Sequence, residues 1–411
     1  MPFRPRLSRT PWQAFRKIMS GENILEGVMA VHKPQGITSA DVLRDLQKHF
    51  NPSKSFAPWL ADARAQRDQQ NKHQRQQRRR REKRIEVKIG HGGTLDPLAT
   101  GVLITGIGKG TKVLQDFLSC TKSYEAIITF GAETDTYDRL GKIVRRAPYE
   151  HVTREAVEKA LEQFRGKIMQ KPPIFSALRI NGKKLYEYAR EGKMPPIEIK
   201  HRPVEALEVE VVEWFEPGTH EYKWPETEMT GEEKVIAEKL LDQEAGLSAE
   251  TEPAAEGEIE GDVNASTKRK LSPPAEEEVK EDSVDAKKLK VSETEAVPAA
   301  SASAPEPVAP EPATEEVPVE SADEPKPQPP AVKIKMTVTS GFYVRSLAHD
   351  LGKAVGSCAL MSELVRTRQG EYDLQPDNIL EYKDLEGGEE VWGPKVERLL
   401  TEWAKKQADK Q

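Results

Sequence analysis

Cysteine is nearly absent from this 411-residue chain: Cys120 and Cys358 are the only two, they form no C-x-x-C pair, and no disulfide framework can be built from them. That usage fits a reducing compartment. The eight histidines are scattered without metal-ligand spacing, so no zinc or other metal is expected. No apolar run approaches the ~18 residues that a spanning helix needs, which leaves no membrane among the expected partners. Gly106-Ile107-Gly108-Lys109-Gly110-Thr111-Lys112 lacks the G-x-x-x-x-G-K-[ST] spacing of a phosphate loop and reads as a turn. Aromatic residues make up 6% of the chain and hydrophobic ones 36%, too few for a chain that is globular throughout.

The shortage is local. Residues 231–330 hold no aromatic residue, 13 prolines, and 26 acidic against 10 basic residues, a net of −16. A segment of this kind cannot bury enough surface to offset its chain entropy, so 225–330 is expected to be a disordered acidic linker. The other 311 residues hold 42 acidic and 52 basic ones, a net of +10, so the formal net charge of −6 hides a basic body. A basic body suits a polyanion partner.

Three further stretches are basic. Residues 1–26 form an N-terminal arm with Arg4, Arg6, Arg9, Arg16 and Lys17, readable as an amphipathic targeting segment or as an unstructured arm. The 51–84 stretch breaks the hydrophobic pattern and ends in 71–84 with eight Lys/Arg and one Glu, readable as a phosphate-gripping arm, an import signal or a solvated charge run. Lys268-Arg269-Lys270 and Lys287-Lys288-Leu289-Lys290 look like a two-part nuclear import signal.

Periodicity gives the ordered parts. Residues 27–32 read as a buried strand, Ser39 as the cap of a helix to about residue 50 with Val42, Leu43, Leu46 and Phe50 on one face, and 85–89 as a strand. A helix near 111–119 would carry Val113, Leu114, Phe117 and Leu118 as its apolar stripe. Lys122 to Phe130 alternates as a strand, Thr153 to Phe164 and Lys183 to Glu191 read as helices, and Val204 to Phe215 and Val332 to Thr339 alternate again. Tyr343 to Val355 reads as a helix, and 381–411 as a tail with a short final helix.

The chain is organised around Gly90-His91-Gly92-Gly93-Thr94-Leu95-Asp96-Pro97-Leu98-Ala99-Thr100-Gly101: twelve residues with four glycines and one carboxylate. Glycines allow tight turning and close approach, and Pro97 fixes φ just after the acid, so such a loop can hold one carboxylate in place. It resembles the signature loop of the TruB family of pseudouridine synthases. The resemblance extends to Gly27-Val28-Met29-Ala30-Val31-His32-Lys33-Pro34-Gln35-Gly36, Lys122-Ser123-Tyr124-Glu125-Ala126, Gly131-x-x-Thr134-Asp135-Thr136, Pro172-Pro173-x-x-Ser176-Ala177-Leu178, Gly182-Lys183-Lys184-Leu185-Tyr186-Glu187-Tyr188-Ala189-Arg190 and Gly341-Phe342-Tyr343-Val344-Arg345-Ser346-Leu347.

The resemblance implies an α/β (α+β) fold, a mixed, mostly antiparallel sheet flanked by helices, with the catalytic domain split into 27–224 and 331–380. It implies isomerisation of the T-loop uridine, position 55 of tRNA, to pseudouridine by a stand-alone enzyme. The alternatives are a tRNA-binding folding chaperone with dispensable catalysis and a guide-RNA-dependent ribosomal RNA enzyme. The latter relies on a C-terminal PUA domain, for which the stretch after residue 380 is too short. The implied partner is the T-arm of tRNA, with no cofactor, metal or nucleotide, acting as a monomer in the nucleus, with mitochondrion and cytoplasm as further compartments.

Residue by residue, the resemblance gives Asp96 as the covalent catalyst. It gives Arg345 as the cation that keeps Asp96 charged and oriented, or else as a phosphate contact. Tyr124 would stack on the target base and move a proton, or be a buried strand tyrosine. His91 would enter the space left by the flipped uridine, or be a turn histidine. Lys33 would contact RNA backbone. Tyr343 and Leu364 would line the pocket, though a core leucine looks much the same in sequence. Tyr186 and Tyr188 are expected in the core.

Overall fold

The structure, a computed structural model, describes residues 24–68, 84–191, 196–197, 199–231, 234–235, 237–238 and 328–409. Most of the N-terminal arm, the basic run 69–83, most of the acidic linker and both import-like clusters lie outside the described residues.

The chain first forms β1 (Gly27–Lys33), α1 (Ser39–Phe50) and α2 (Ala57–Asp68), then β2 (Ile89–His91), β3 (Thr100–Ile107), α3 (Leu114–Ser119) and β4 (Lys122–Phe130). Next come β5 (Ala132–Thr134), β6 (Ile143–Arg146), α4 (Arg154–Leu161), β7 (Gly166–Gln170), β8 (Arg179–Ile180), β9 (Lys183–Lys184), α5 (Leu185–Arg190) and β10 (Arg202–Phe215). The second part contains β11 (Ala331–Val338), α6 (Val344–Ala354), β12 (Ala359–Gln369), β13 (Tyr372–Asp373), β14 (Ile379–Glu381) and α7 (Glu389–Asp409).

One large sheet has the order β14-β1-β3-β12-β4-β11-β10-β7, with β2 on β3 and β13 on β12. Its β1–β14 and β3–β12 pairs are parallel and the rest antiparallel, so the sheet is mixed and mostly antiparallel. Alternation decides which face is buried. Tyr124, Ala126, Ile128 and Phe130 of β4 enter the same core as Val332, Ile334, Met336 and Val338 of β11. The latter strand also pairs with β10, Phe215 opposite Ala331, so the acidic linker falls within the connection from β10 to β11.

Several local expectations are corrected. The cap of α1 is Thr38, not Ser39: the Thr38 hydroxyl accepts from the Asp41 N–H and the Asp41 carboxylate accepts from the Thr38 N–H, each at 3.1 Å. Strand pairing begins only at Ile89 rather than at 85. The patternless 51–68 stretch contains α2, a helix missed because Leu60 is its only fully buried side chain. Leu118 is 39% exposed and leaves the apolar stripe of α3. Lys183 and Lys184 belong to a small hairpin before α5. Tyr186 and Tyr188 are half-buried under the Lys184 and Lys183 ammoniums rather than in the core.

The C-terminal stretch holds a 21-residue helix rather than a short one. Trp392 of α7 is 1% exposed and packs on Phe50, ring centroids 5.0 Å apart, while Phe50 stacks on Phe56 at 4.4 Å. Glu389 accepts from the Ser55 N–H and hydroxyl at 2.7 Å and from the Lys54 N–H at 3.1 Å, tying the first turn of α7 to the loop after α1. Among the described residues no helix is long and apolar enough to cross a membrane.

If α7 is part of the core, Trp392→Ala should lower unfolding free energy by about 3–5 kcal/mol, the range for deleting a large buried aromatic. Urea denaturation measures it, and a loss below about 1 kcal/mol would make the helix peripheral.

Candidate active site

The signature loop runs from β2 into β3 and is pinned on both sides of its carboxylate. Ahead of Asp96, the Ser39 hydroxyl donates to the Leu95 carbonyl and accepts from the Leu95 N–H, both at 2.9 Å, which joins the first residue of α1 to the loop. Behind it, the Gly36 N–H donates to the Pro97 carbonyl at 2.9 Å. From β12, Gln369 Nε2 donates to the Gly92 carbonyl at 2.5 Å and Arg366 Nη2 to the Gly93 carbonyl at 3.4 Å. Close approach of β12 is possible because position 101 is glycine: at its φ of +101° a Cβ would lie 2.3 Å from the Arg366 carbonyl oxygen.

Lys33 is placed differently from the RNA-backbone contact expected of it. It is fully buried at the end of β1, and its Nζ donates to the carbonyls of Pro34, Pro97 and Ala99 at 2.8, 3.3 and 2.6 Å. An exposed role is ruled out by where the chain puts it, between β3 and the loop it supports. Burial pulls its pKa down to about 8, with the Asp96 charge opposing and the Arg366 charge adding to the fall.

Arg345 lies in the first turn of α6 and brings its guanidinium to the loop, its side chain 5% exposed. Nε donates to Asp96 Oδ2 at 2.8 Å, Nη1 to the Thr136 carbonyl at 2.8 Å and Nη2 to the Phe175 carbonyl at 2.8 Å. A second carboxylate, Asp138 Oδ2, stands 3.8 Å from Nε. Burial works against the cation, but Asp96 and Asp138 together outweigh it and the arginine's pKa is raised. Burial pushes the Asp138 carboxyl up, with Arg345 opposing. The Asp96 side chain stays 36% exposed, open to the adjoining space.

That space is a cavity of about 360 Å³ lined by Gly93 to Asp96, Leu118, Lys122, Tyr124, Ser176 to Leu178, Thr339 to Arg345, Leu364 and Arg366. Asp96, Arg345, Tyr124, Tyr343 and Leu364 are thus brought together. Tyr343 is fixed by Gln170, which accepts from its N–H at 2.7 Å and donates to its carbonyl at 2.9 Å; burial raises the phenol's pKa. His91 is not among the lining residues: it sits half-buried on β2, its pKa lowered by burial and then by the Arg366 charge. Among the described residues no group of three His, Cys, Asp or Glu could hold a metal ion.

Sequence reasoning missed Arg366, Asp138 and Ser176. Arg366 is 1% exposed and donates from Nε to the Val102 carbonyl at 2.7 Å. Its signal was present: Leu364 and Arg366 alternate along one strand, so a pocket-facing leucine puts the arginine on the same side.

The mixed sheet brings one carboxylate, on a glycine-rich connection, together with a buried arginine and two tyrosines at one cavity. Residues 78–228 match the family model described as the N-terminal domain of TruB family pseudouridylate synthases. The chain is 38% identical over 360 residues to tRNA pseudouridine synthase 4 of Schizosaccharomyces pombe, covering 87% of this chain and 82% of that protein. It is 33% identical over 385 residues to tRNA pseudouridine synthase 4 of Saccharomyces cerevisiae, covering 92% and 86%. A crystal structure of a Cbf5-Nop10-Gar1 complex superposes with a TM-score of 0.42 at 18% identity, over 91% of this chain and 59% of that one, too loosely to add to the argument. The chain belongs to the TruB family.

Lys33 gives a testable pH dependence. Its folded pKa of about 8 lies below the ordinary 10.5, so between these values the unfolded chain binds more protons and stability from this group rises with pH. The unfolding free energy of wild type minus that of Lys33→Met should therefore increase from pH 8 toward 10.5 in urea titrations. A flat difference would mean that the three carbonyls keep the ammonium charged.

Proposed function

We propose that this chain converts the uridine at position 55, in the T-loop of tRNA, to pseudouridine, with Asp96 as the nucleophile. Both relatives matched over more than four-fifths of their length bear the name tRNA pseudouridine synthase 4, which supports tRNA as substrate. The observation that carries the chemistry is the 2.8 Å pair of Arg345 and Asp96 at a cavity of about 360 Å³. Such a volume suits one small ligand rather than a helix, so the target nucleoside must be flipped out of its stack to enter.

The reaction breaks the bond from ribose C1′ to uracil N1, turns the base, and joins C1′ to C5. The C5 proton leaves, N1 gains one, and no outside reagent is consumed. One carboxylate therefore suffices as covalent catalyst. In this reading Arg345 orients Asp96 through a planar fork that already has two carbonyls to fix it. Tyr124 offers its ring to the base and its hydroxyl to proton movement, while Tyr343 and Leu364 exclude water from the reacting atoms. His91, its pKa lowered by burial, serves on the RNA side by filling the gap left by the flipped nucleotide.

The test is pseudouridine mapping of an unmodified tRNA transcript after incubation with wild type and with Asp96→Ala, with binding recorded alongside. Wild type should convert the single T-loop uridine, and Asp96→Ala should bind without converting. Binding without conversion by either protein would instead favour the folding chaperone. Arg345→Lys keeps the charge but loses the fork, and should cost about 10²-fold in turnover in the same assay; full turnover would sink the orienting role.

A further inference from the structure

Asp96 is one of several groups that hold the Arg345 guanidinium. The Thr136 carbonyl, 2.8 Å from Nη1, and the Asp138 carboxylate, 3.8 Å from Nε, both come from the turn between β5 and β6. The residue between them, Tyr137, has φ +63°, a left-handed conformation that bulky side chains seldom adopt. Such a conformation persists only where the surroundings impose it, and it concentrates at functional sites.

The surroundings are specific. The Tyr137 ring is 4% exposed and stacks on the His349 imidazole, centroids 4.1 Å apart and planes 20° from parallel. The Tyr137 carbonyl accepts from the Met361 N–H at 3.0 Å, which holds the turn against β12. His349 lies four residues beyond Arg345 on α6, so one face of this helix grips the same turn twice, by the guanidinium and by the imidazole. Behind the imidazole, Glu133 Oε2 of β5 lies 3.3 Å from His349 Nδ1, and Arg145 Nε lies 3.5 Å from Glu133 Oε1. Burial opposes the Glu133 charge, but His349 and Arg145 outweigh it and its pKa is lowered.

We propose that the Tyr137–His349 stack, backed by Glu133, is a positioning pair. It fixes the Thr136 carbonyl and the Asp138 carboxylate, and through them the angle at which Arg345 meets Asp96. An apolar pair would fill the same volume without burying a carboxylate and an imidazole. Glu133 faces one imidazole nitrogen, Nδ1, and Nε2 has no hydrogen-bond partner among the described residues, so the ion pair alone leaves the ring's place against Tyr137 unexplained. What the ring supplies is a flat surface for Tyr137 at the strained point of the turn. The inference rests on the reading of Asp96 and Arg345 as the reacting pair.

The experiment is single-turnover release of tritium from tRNA labelled at uracil C5, since C5 loses its hydrogen only if pseudouridine forms. Tyr137→Gly accepts the positive φ without strain but removes the ring, His349→Gln keeps a polar group beside Glu133 without a ring, and Tyr137→Phe keeps the stack. The Gly and Gln variants should release tritium about 10- to 100-fold more slowly with tRNA affinity unchanged, the range for a small misplacement of reacting groups. Tyr137→Phe should restore most of the rate. Thermal unfolding of each variant separates positioning from folding: loss of rate, affinity and melting temperature together would overturn the proposal. So would wild-type rates for folded Tyr137→Gly and His349→Gln, or a Tyr137→Phe as slow as the glycine variant. Wild-type protein that releases no tritium, or an Asp96→Ala that releases it equally fast, would sink the functional reading and this pair with it.

Discussion

A guanidinium 5% exposed must have every side of its fork occupied, and this requirement organises the catalytic half of the molecule. Arg345 is met by the signature loop at Asp96, by the β5–β6 turn at Thr136 and by the stretch before β8 at Phe175. Three segments far apart in sequence are thereby held at one point, each by a bond of 2.8 Å. A carboxylate on a flexible glycine-rich loop would wander, and the arginine gives it a fixed partner on a helix packed into the core.

The sheet supplies the second constraint. The signature loop lies beside β12, and the pinning groups Lys33, Arg366 and Gln369 all stand on the strands flanking β3. Buried cations on both sides of the loop donate to backbone carbonyls. The loop is thus satisfied from within, which leaves the Asp96 side chain facing the cavity.

Much of this was legible in the sequence. The alternation from Lys122 to Phe130 fixed β4 at its true ends, and the ordered motifs pointed to Asp96, Tyr124, Tyr343, Arg345 and Leu364, which share one cavity. Lys33 was misplaced because a lysine before Pro-Gln-Gly has the local look of a turn cation. Its burial comes from a strand that pairs over a long separation, Lys33 of β1 opposite Gly101 of β3. Thr38 and Ser39 offered adjacent hydroxyls, and only the structure shows one capping the helix and the other gripping Leu95. The helix α2 left no periodic signal because it buries a single residue, and α7 runs unbroken through Gly393 and Pro394, residues that ordinarily end a helix. Tyr137 was invisible: a positive φ at a non-glycine residue is decided by its surroundings, not by its type.

The bonded pair Asp96 and Arg345 is separated by 249 positions. During synthesis at about 5–20 residues per second, the carboxylate is made roughly 12 to 50 s before its arginine. The strand β14, which completes the edge beside β1, is made later still. A nascent chain that ends before Arg345 therefore carries the whole signature loop without the guanidinium that binds its carboxylate. The pair closes only when the last quarter of the polypeptide folds back onto the first.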